Sequence, residues 1–456
     1  MHTIIHGDCL EELKKLEDNS VDAVITDPPY GLSNTKPKQV ADVLKAWVTG
    51  DTVSVPAKRG GFMGKDWDSF VPPPAVWEEC MRVLKPGGHM AVFAGARTQD
   101  LMGLSIRLAG FEIRDTLGWI HSQGFPKGQD LGKIIDKKLG AERTEVAGRG
   151  WHIGTGGGSG VTIGHFAEKY KKGDATVGRK LLAPATSEAK QWAGWSSQLK
   201  PAIEPIILAR KPLVGTVANN VLAHGVGGLN IDACRVPHAG EKLLGGASTV
   251  GMRPGDMHEG WSRPFHSDDK ARERGRVQSA ANAAKSESLG RFPANVLLDE
   301  HAAKEMDEQS GNRPGFATQT DLQDGKPGGS FLGTRRDATR AGEVRQGYND
   351  SGGASRFFPV FKYQAKAPKK ERPVIEREDG TKIQHPTVKP LKLMEWLVTL
   401  ITPEGGTVLD PFAGTGTTLQ AATNKGFRPI GIEADADYIQ LIHQRLEGGG
   451  QSTRSS

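Results

Sequence analysis

Strand and helix patterns alternate at both ends of this chain of 456 residues, and a long middle section interrupts the alternation. Near the beginning, the apolar run Val21–Thr26 predicts a buried strand, and apolar residues between Trp77 and Leu84 recur at the spacing of one helix face. Such alternation over residues 3–120 and 383–446 predicts a mostly parallel sheet with helices on both faces. Neither end holds enough strands for a stable sheet, so we expect the two ends to form one Rossmann-like, doubly wound α/β sheet.

The predicted strand Val21–Thr26 runs directly into Asp27, Pro28, Pro29 and Tyr30. The two prolines fix φ and lack backbone donors, so we expect their carbonyl groups to be free to accept from a ligand. Because Pro29 also forces Pro28 into an extended conformation, the turn is stiff. The Asp27 carboxylate and the Pro28 carbonyl would then form a rigid acceptor pair beside a flat ring. This arrangement suits a planar group that carries an NH2, such as a nucleobase. The alternative is a proline-rich strand exit with a core tyrosine.

A second motif near the end of the chain combines a strand, a glycine-rich turn, a helix, a further strand and an acid over residues 408–433. Glycines allow the backbone to approach a bound nucleoside closely, and an acid at the tip of the second strand, here Glu433, accepts from ribose hydroxyls. The turn lacks the longer dinucleotide fingerprint and the lysine of a triphosphate-binding loop. The pattern therefore favours a ligand with a ribose but without phosphates.

Net charge, cysteine content and the lack of long apolar runs indicate the kinds of partner and the cellular location to expect. The formal net charge of +6 fits nucleic acid as a partner, and equally a protein with a modest basic excess. The three cysteines form no disulfide framework and no four-ligand zinc spacing, so we expect no metal. No signal peptide and no membrane-spanning run is legible, which predicts a cytoplasmic protein without membrane contact.

The middle of the chain, residues 121–382, is predicted to be an insert with little regular structure. Residues 204–210 form an isolated apolar run, which we expect to pair antiparallel with 111–119 as an edge strand. Residues 32–74 also look like an irregular excursion, and the glycine-rich run 154–160 looks like a loop. The basic run 262–291 is either a solvated or disordered face or a contact to the DNA backbone.

The Asp-Pro-Pro-Tyr sequence at 27–30 resembles the catalytic motif of amino-methylating DNA methyltransferases, and Asp-Pro-Phe-Ala-Gly-Thr-Gly-Thr-Thr at 410–418 is similar to the cofactor motif of the same family. The catalytic motif precedes the cofactor motif, as in the circularly permuted beta class. The resemblance implies a seven-stranded sheet. Since the two ends must combine into one sheet, we expect the strand ending at Asp27 to lie beside the strand ending at Asp410, just before Pro411. It also implies S-adenosylmethionine as cofactor, double-stranded DNA as partner, and methylation of the N6 amine of an extruded adenine.

The resemblance also assigns residues to roles. The implied catalytic residues are Asp27, Pro28, Pro29 and Tyr30. The implied cofactor-binding residues are Asp8, Cys9, Thr387, Lys389, Asp410, Pro411, Phe412, Gly414, Thr415, Gly416, Thr417 and Glu433. The expected domains are a catalytic half (1–120), an insert (121–382) with target recognition at 214–370, a cofactor-binding half (383–446) and a disordered tail (447–456).

Several alternatives stay open from the sequence. Cytosine N4 methylation uses the same chemistry, although the family's cytosine members more often have Ser at the position of Asp27. An RNA or protein amino-methyltransferase, a non-catalytic DNA-binding protein on this fold and an NAD-dependent dehydrogenase are further candidates; the intact Asp27, Tyr30 and Glu433 and the glycine pattern disfavour the last two. The target sequence, a homodimer and a paired restriction endonuclease are not determined by the sequence.

Overall fold

A computed structural model describes most of the two ends of the chain and parts of its middle. The described residues are 2–33, 35–56, 68–122, 128–149, 180–237, 290–314, 351–361, 373–377, 382–385 and 387–448, with single positions at 274, 277–278, 281, 289 and 380. The glycine-rich run 154–160, most of the basic run 262–291, residues 57–67 of the predicted excursion and the tail from 449 lie outside the described residues.

The described part of the chain contains the following regular elements. The strands are β1 (Thr3–His6), β2 (Val21–Thr26), β3 (Leu84–Phe93), β4 (Glu112–Ile120), β5 (Glu145–Arg149), β6 (Lys180–Leu182), β7 (Ile203–Arg210), β8 (Val296–Asp299), β9 (Arg313–Pro314), β10 (Ser351–Gly352), β11 (Val360–Phe361), β12 (Ile375–Glu376), β13 (Lys382–Ile383), β14 (Thr407–Asp410) and β15 (Arg428–Glu433). The α-helices are α1 (Cys9–Leu13), α2 (Pro37–Val48), α3 (Pro74–Val83), α4 (Gln99–Leu108), α5 (Leu131–Lys138), α6 (Ser187–Gln191), α7 (Val217–His224), α8 (Glu300–Ser310), α9 (Leu391–Ile401), α10 (Thr417–Asn424) and α11 (Ala436–Gly448). Short 3-10 helices cover Asp232–Cys234 and Ala354–Phe357.

Nine of these strands form one mixed sheet in the order β1-β15-β14-β2-β3-β7-β4-β8-β11. Neighbouring strands are parallel except at β7, which is antiparallel to both β3 and β4. Three separate two-stranded pairs, β5-β6, β9-β10 and β12-β13, lie outside this sheet.

The two ends of the chain meet at the centre of the sheet. Strand β14 lies between β15 and β2, and its pairing with β2 aligns Val408 with Ala23 and Leu409 with Val24. The predicted adjacency of the strand before Asp27 and the strand before Pro411 is thereby confirmed. Both strands are buried along their whole length, as expected for parallel strands covered on both faces.

Helices cover both faces of the sheet, so successive side chains of a central strand pack into different layers. Val24 belongs to the apolar cluster that includes Trp77 of α3 and Met102 of α4. Its neighbour Ile25 belongs to the opposite cluster, which includes Leu397 of α9. This arrangement follows from the period of two along a strand.

Two expectations about the sheet were wrong. It has nine strands rather than seven, because β8 pairs with β4 and β11 pairs with β8. The strand near 204–210 lies in the interior of the sheet rather than at its edge, because β7 pairs with β3 on one side and with β4 on the other. An uncovered strand edge presents unpaired N–H and C=O groups, and the additional strands satisfy those of β4.

The prediction that residues 32–74 have no regular structure was also wrong in part, because they contain the helix α2 (Pro37–Val48). Pro37 stands at the first helical position, where a proline is well tolerated. Val43 and Trp47 are buried one turn apart and pack into the core. This proline and this spacing were the available signals for the helix.

None of the helices within the described residues is both long enough and apolar enough to span a membrane.

Candidate active site

The turn from Asp27 to Tyr30, named the catalytic turn after its predicted role, follows β2 at the carboxyl edge of the sheet. The Tyr30 hydroxyl donates to Asp27 Oδ1 over 2.7 Å, and Lys389 Nζ lies 2.9 Å from Asp27 Oδ2. One carboxylate oxygen of Asp27 therefore has a partner within the same turn, and the other has a partner from near the end of the chain. Burial and the charge of Asp27 raise the pKa of Tyr30 well above its usual value, so its hydroxyl remains a donor.

Side chains from two other segments hold the backbone of this turn. Asp68 is buried and accepts hydrogen bonds from the backbone N–H groups of Tyr30 and Gly31, at 2.7 and 3.0 Å. The Thr98 hydroxyl donates to the Tyr30 carbonyl over 2.6 Å. These contacts fix the direction in which the Tyr30 ring leaves the backbone. The sequence analysis identified neither Asp68 nor Thr98, and neither stands in a legible motif.

Lys389, which the resemblance implies as a cofactor-binding residue, lies against the catalytic turn. Its ammonium is within 3.0 Å of the Tyr30 hydroxyl and 3.5 Å of a Glu204 carboxylate oxygen. It also lies over the rings of Tyr30 and Phe93, at 5.3 and 4.8 Å from their centroids. Burial lowers the pKa of Lys389, but the charges of Asp27 and Glu204 outweigh burial, and the pKa is raised overall.

Glu204 is a site residue that the sequence analysis missed. It stands near the beginning of β7, and because β7 runs antiparallel to β3 and β4, its beginning lies at the carboxyl edge of its neighbours. The antiparallel orientation was predicted, so it was the signal that could have placed Glu204 beside the catalytic turn.

The glycine turn begins where β14 ends, beside the catalytic turn. Asp410 is buried and accepts from the Thr26 hydroxyl over 2.6 Å and from the Phe412 N–H over 3.1 Å. Burial raises the pKa of Asp410 to about 6. Asp410 therefore joins β2 to β14 and shapes the entry to the turn.

The remaining residues of the turn lead into α10. Gly414 and Gly416 have φ of +53° and +75°, in the left-handed region that favours glycine. Arg445 of α11 donates to both the carbonyl and the hydroxyl of Thr415, at 2.7 and 3.1 Å. The Phe412 ring packs against Trp77 with 6.4 Å between centroids. Pro411 and Thr417 are buried at the two ends of the turn.

Glu433 ends β15 next to the glycine turn. One carboxylate oxygen accepts from Gly414 N–H over 2.7 Å and the other from Asp435 N–H over 2.9 Å. Burial raises the pKa of Glu433 to about 7. Two carboxylate oxygens offer about four lone-pair sites, so acceptor capacity remains for ligand hydroxyls.

Asp8 and Cys9 follow β1, the strand that pairs with β15. Gly7 N–H donates to the Glu433 carbonyl over 3.0 Å, so the two strand ends are adjacent. The exposed Asp8 carboxylate caps α1 by accepting from Leu10 and Glu11 N–H groups. Burial raises the pKa of Cys9 to about 12, so this thiol stays protonated.

His385 and Lys389 lie close to different turns. A Cβ atom on Gly414 would lie 3.6 Å from His385 Nε2, whereas Lys389 pairs with Asp27. Thr387 is exposed between them, with its N–H directed at His385 Nδ1 over 3.2 Å. The two turns are therefore neighbours at one edge of the sheet.

Comparison with known proteins shows which family this chain resembles. The model of the N6_N4_Mtase family, described as DNA methylase, matches residues 21–147 and 263–444. Type II methyltransferase M.HindIII from Haemophilus influenzae is 24% identical over 255 residues, which cover 50% of this chain and 64% of that protein. DNA adenine methyltransferase YhdJ from Escherichia coli K12 is 33% identical over 138 residues, which cover 30% of this chain and 40% of that protein.

Across seven of the similar curated proteins, the alignments cover from 20% to 64% of their own lengths, so the chain spans less than two thirds of each of these. Among solved structures, TTHA0409 from Thermus thermophilus, complexed with S-adenosyl-L-methionine, is 16% identical with a TM-score of 0.36. That comparison covers 99% of this chain and 97% of the other.

Proposed function

The chain belongs to the DNA methylase family, and we propose that it transfers a methyl group from S-adenosylmethionine to the exocyclic N6 amine of an adenine in double-stranded DNA. The observation that carries this proposal is the pairing of β2 with β14, which makes the catalytic turn after Thr26 and the glycine turn after Asp410 begin side by side. The carboxylate that would bind the target amine and the turn that would bind the methyl donor then lie at one edge of the sheet, as direct transfer between two substrates requires.

S-adenosylmethionine is the expected cofactor, and the residues around the glycine turn fit it. Glu433 retains acceptor capacity for the ribose hydroxyls of the cofactor. The exposed Asp8 carboxylate at the neighbouring strand end can accept from the amine of the cofactor's own adenine. The half-buried Phe412 ring offers an apolar face. The further residues proposed to line this site are Cys9, Thr387, Lys389, Asp410, Pro411, Gly414, Thr415, Gly416 and Thr417. When bound, the cofactor supplies an activated methyl group on its sulfonium.

The catalytic turn would act on the target amine without a covalent enzyme intermediate. The lone pair of an adenine amine is shared with the ring, which makes the amine a poor nucleophile. Acceptance of its two N–H groups by the Asp27 carboxylate and the Pro28 carbonyl would localise that lone pair toward the methyl group. The base has to leave the duplex to reach this turn, and the Tyr30 ring offers a face for stacking.

The chain order is that of the permuted beta class, with the catalytic turn in residues 1–120 and the cofactor turn in residues 383–446. We assign target recognition to residues 214–370 within the insert 121–382. The family model does not match residues 148–262, which lie within this insert. The modest positive charge of the whole chain is compatible with DNA binding.

Nucleoside analysis tests the chemistry. Plasmid DNA from cells that express the protein is digested and analysed by mass spectrometry, with cells expressing the Asp27→Ala variant as the control. We expect N6-methyladenine in the first sample only. N4-methylcytosine would transfer the assignment to cytosine, and the absence of both modified bases would reject DNA methylation.

A further inference from the structure

Two polar side chains from outside the catalytic turn, Lys389 and Glu204, lie beside Asp27 and Tyr30, and neither has a part in the chemistry proposed so far. Lys389 Nζ lies 2.9 Å from Asp27, 3.0 Å from the Tyr30 hydroxyl and 3.5 Å from Glu204. The Lys389 side chain is 10% exposed, whereas those of Asp27 and Glu204 are 24% and 28% exposed. One buried cation is thus shared between two carboxylates that reach the surface.

Both oxygens of Asp27 already have partners in this arrangement. Oδ1 accepts from the Tyr30 hydroxyl and Oδ2 faces the Lys389 ammonium. An incoming amine that donates to Asp27 competes with these two donors. Displacement of a buried ammonium is costly unless a second countercharge takes it up, because a buried charge without a partner loses its solvation and gains nothing in return.

Glu204 is positioned to be that second countercharge. Phe93 at the end of β3 pairs with Ile206, and the next residue, Ala94, donates its N–H to the Pro205 carbonyl over 2.9 Å. The strand β7 therefore holds Glu204 beside the aromatic surface formed by Tyr30 and Phe93, over which the ammonium lies. A small shift of the ammonium across these rings exchanges one carboxylate for the other.

Neighbouring histidines do not replace Glu204 in this role. An imidazole is either neutral or cationic, so it cannot be the countercharge of an ammonium. Burial lowers the pKa of His121 and of His385, so both are neutral near pH 7 and add no positive charge that would compete with Lys389 for Glu204.

We propose that Glu204 is a positioning residue that holds the Lys389 ammonium when the target amine binds Asp27. This inference rests on the proposed function, because it assigns Glu204 to the same reaction. Without the Glu204 charge, the ammonium stays on Asp27 and competes with the base. The loss then falls on productive DNA binding and transfer and leaves cofactor binding intact.

The test is a double-mutant cycle on the full chain. Glu204→Gln, Lys389→Met and the double variant are assayed with tritiated S-adenosylmethionine and plasmid DNA from a host that lacks DNA methyltransferases. Calorimetry measures cofactor binding. We expect Glu204→Gln to lower kcat/KM for DNA by at least about tenfold, which corresponds to about 1.4 kcal/mol. The dissociation constant of the cofactor should remain unchanged.

The cycle separates action through Lys389 from other effects. If Glu204 acts through Lys389, adding Glu204→Gln to Lys389→Met causes no further loss of kcat/KM. Glu204→Asp keeps the charge and should retain most of the activity. Glu112→Gln is the matched control, since Glu112 pairs with Arg210 at the opposite end of the same two strands and lies away from the site.

Three results would overturn the inference while leaving the proposed function intact: equal losses from Glu204→Gln in both backgrounds, wild-type kinetics of Glu204→Gln, or equal impairment of Glu204→Asp and Glu204→Gln. A wild-type protein that methylates no DNA would overturn the proposed function itself, and the inference with it.

Discussion

At the scale of single residues, the position of the Tyr30 ring depends on a carboxylate that is distant in sequence. Asp68 accepts two backbone N–H groups of the catalytic turn, and Thr98 holds the carbonyl of Tyr30. The two prolines stiffen the turn from within. Together these contacts would keep the Asp27 and Tyr30 side chains in place without help from a ligand.

Asp68→Ala should impair transfer more than cofactor binding. The substitution leaves two backbone donors without their acceptor, and each such buried group costs about 1–3 kcal/mol. We expect a thermal midpoint several degrees lower and a reduced kcat, with the dissociation constant of the cofactor little changed. Asp42→Ala removes an exposed carboxylate of α2 and serves as the control in the same thermal and kinetic assays.

At the scale of elements, the glycine turn depends on backbone conformations that other residues adopt only with strain. Gly416 has φ of +75°, and a Cβ atom there would lie 3.0 Å from Ile442 of α11. Gly426, at the end of α10, has φ of +79° but no heavy atom within 4 Å of an added Cβ. The two glycines share a backbone conformation and differ in their surroundings.

Substitution of each of these two glycines by alanine distinguishes the effect of backbone strain on stability from the effect of a distorted glycine turn on cofactor binding. Each change should destabilise the fold by about 1–2 kcal/mol because of the left-handed backbone. Gly416→Ala should also weaken cofactor binding, since the turn has to move away from Ile442. Gly426→Ala should leave binding unchanged. Calorimetry of both variants checks this, and equal affinities would remove the glycine turn from the cofactor site.

Glu433 should make cofactor binding dependent on pH. Its pKa is raised to about 7 by burial, above the ordinary value of 4.5, so near pH 6.5 the free protein largely retains this proton. Ribose hydroxyls donate best to the ionised carboxylate, so binding releases the proton. Affinity should therefore rise with pH through about 7, by at most about tenfold per pH unit, and level off above it.

The measurement is a series of dissociation constants at pH values above the titration of Asp410, whose pKa is about 6. Glu433→Gln removes the titrating group and should bind more weakly, with a flatter pH profile. Titration of the ligand itself is common to both proteins and cancels in the comparison. Identical profiles for the two proteins would show that Glu433 does not receive the ribose.

At the scale of the whole molecule, the two ends of the chain form one sheet and supply one turn each. Thr26 and Asp410, which are far apart in sequence, are joined by a buried hydrogen bond of 2.6 Å. Sequence periodicity was sufficient to predict this adjacency, because buried parallel strands give continuous apolar runs and neither end held enough strands alone.

Sequence periodicity was insufficient where long-range pairing decides the outcome. The short runs Val296–Asp299 and Val360–Phe361 carry no signal that they extend the sheet beyond β4, so β7 was expected at the edge. The ion pair between Lys389 and Asp27 joins residues from opposite ends of the chain, and no local pattern predicted it. Glu204 and Asp68 contribute through position, and no local pattern marks them.

The most direct test of one shared site is Asp27→Ala, with methyl transfer to DNA and cofactor binding measured on the same preparation. Asp27 lies in the N-terminal half and does not form part of the glycine turn. We expect transfer to fall by about 10²- to 10⁴-fold, while the cofactor binds nearly as tightly as in the wild type. Unchanged transfer, or loss of cofactor binding without a loss of fold, would contradict the account.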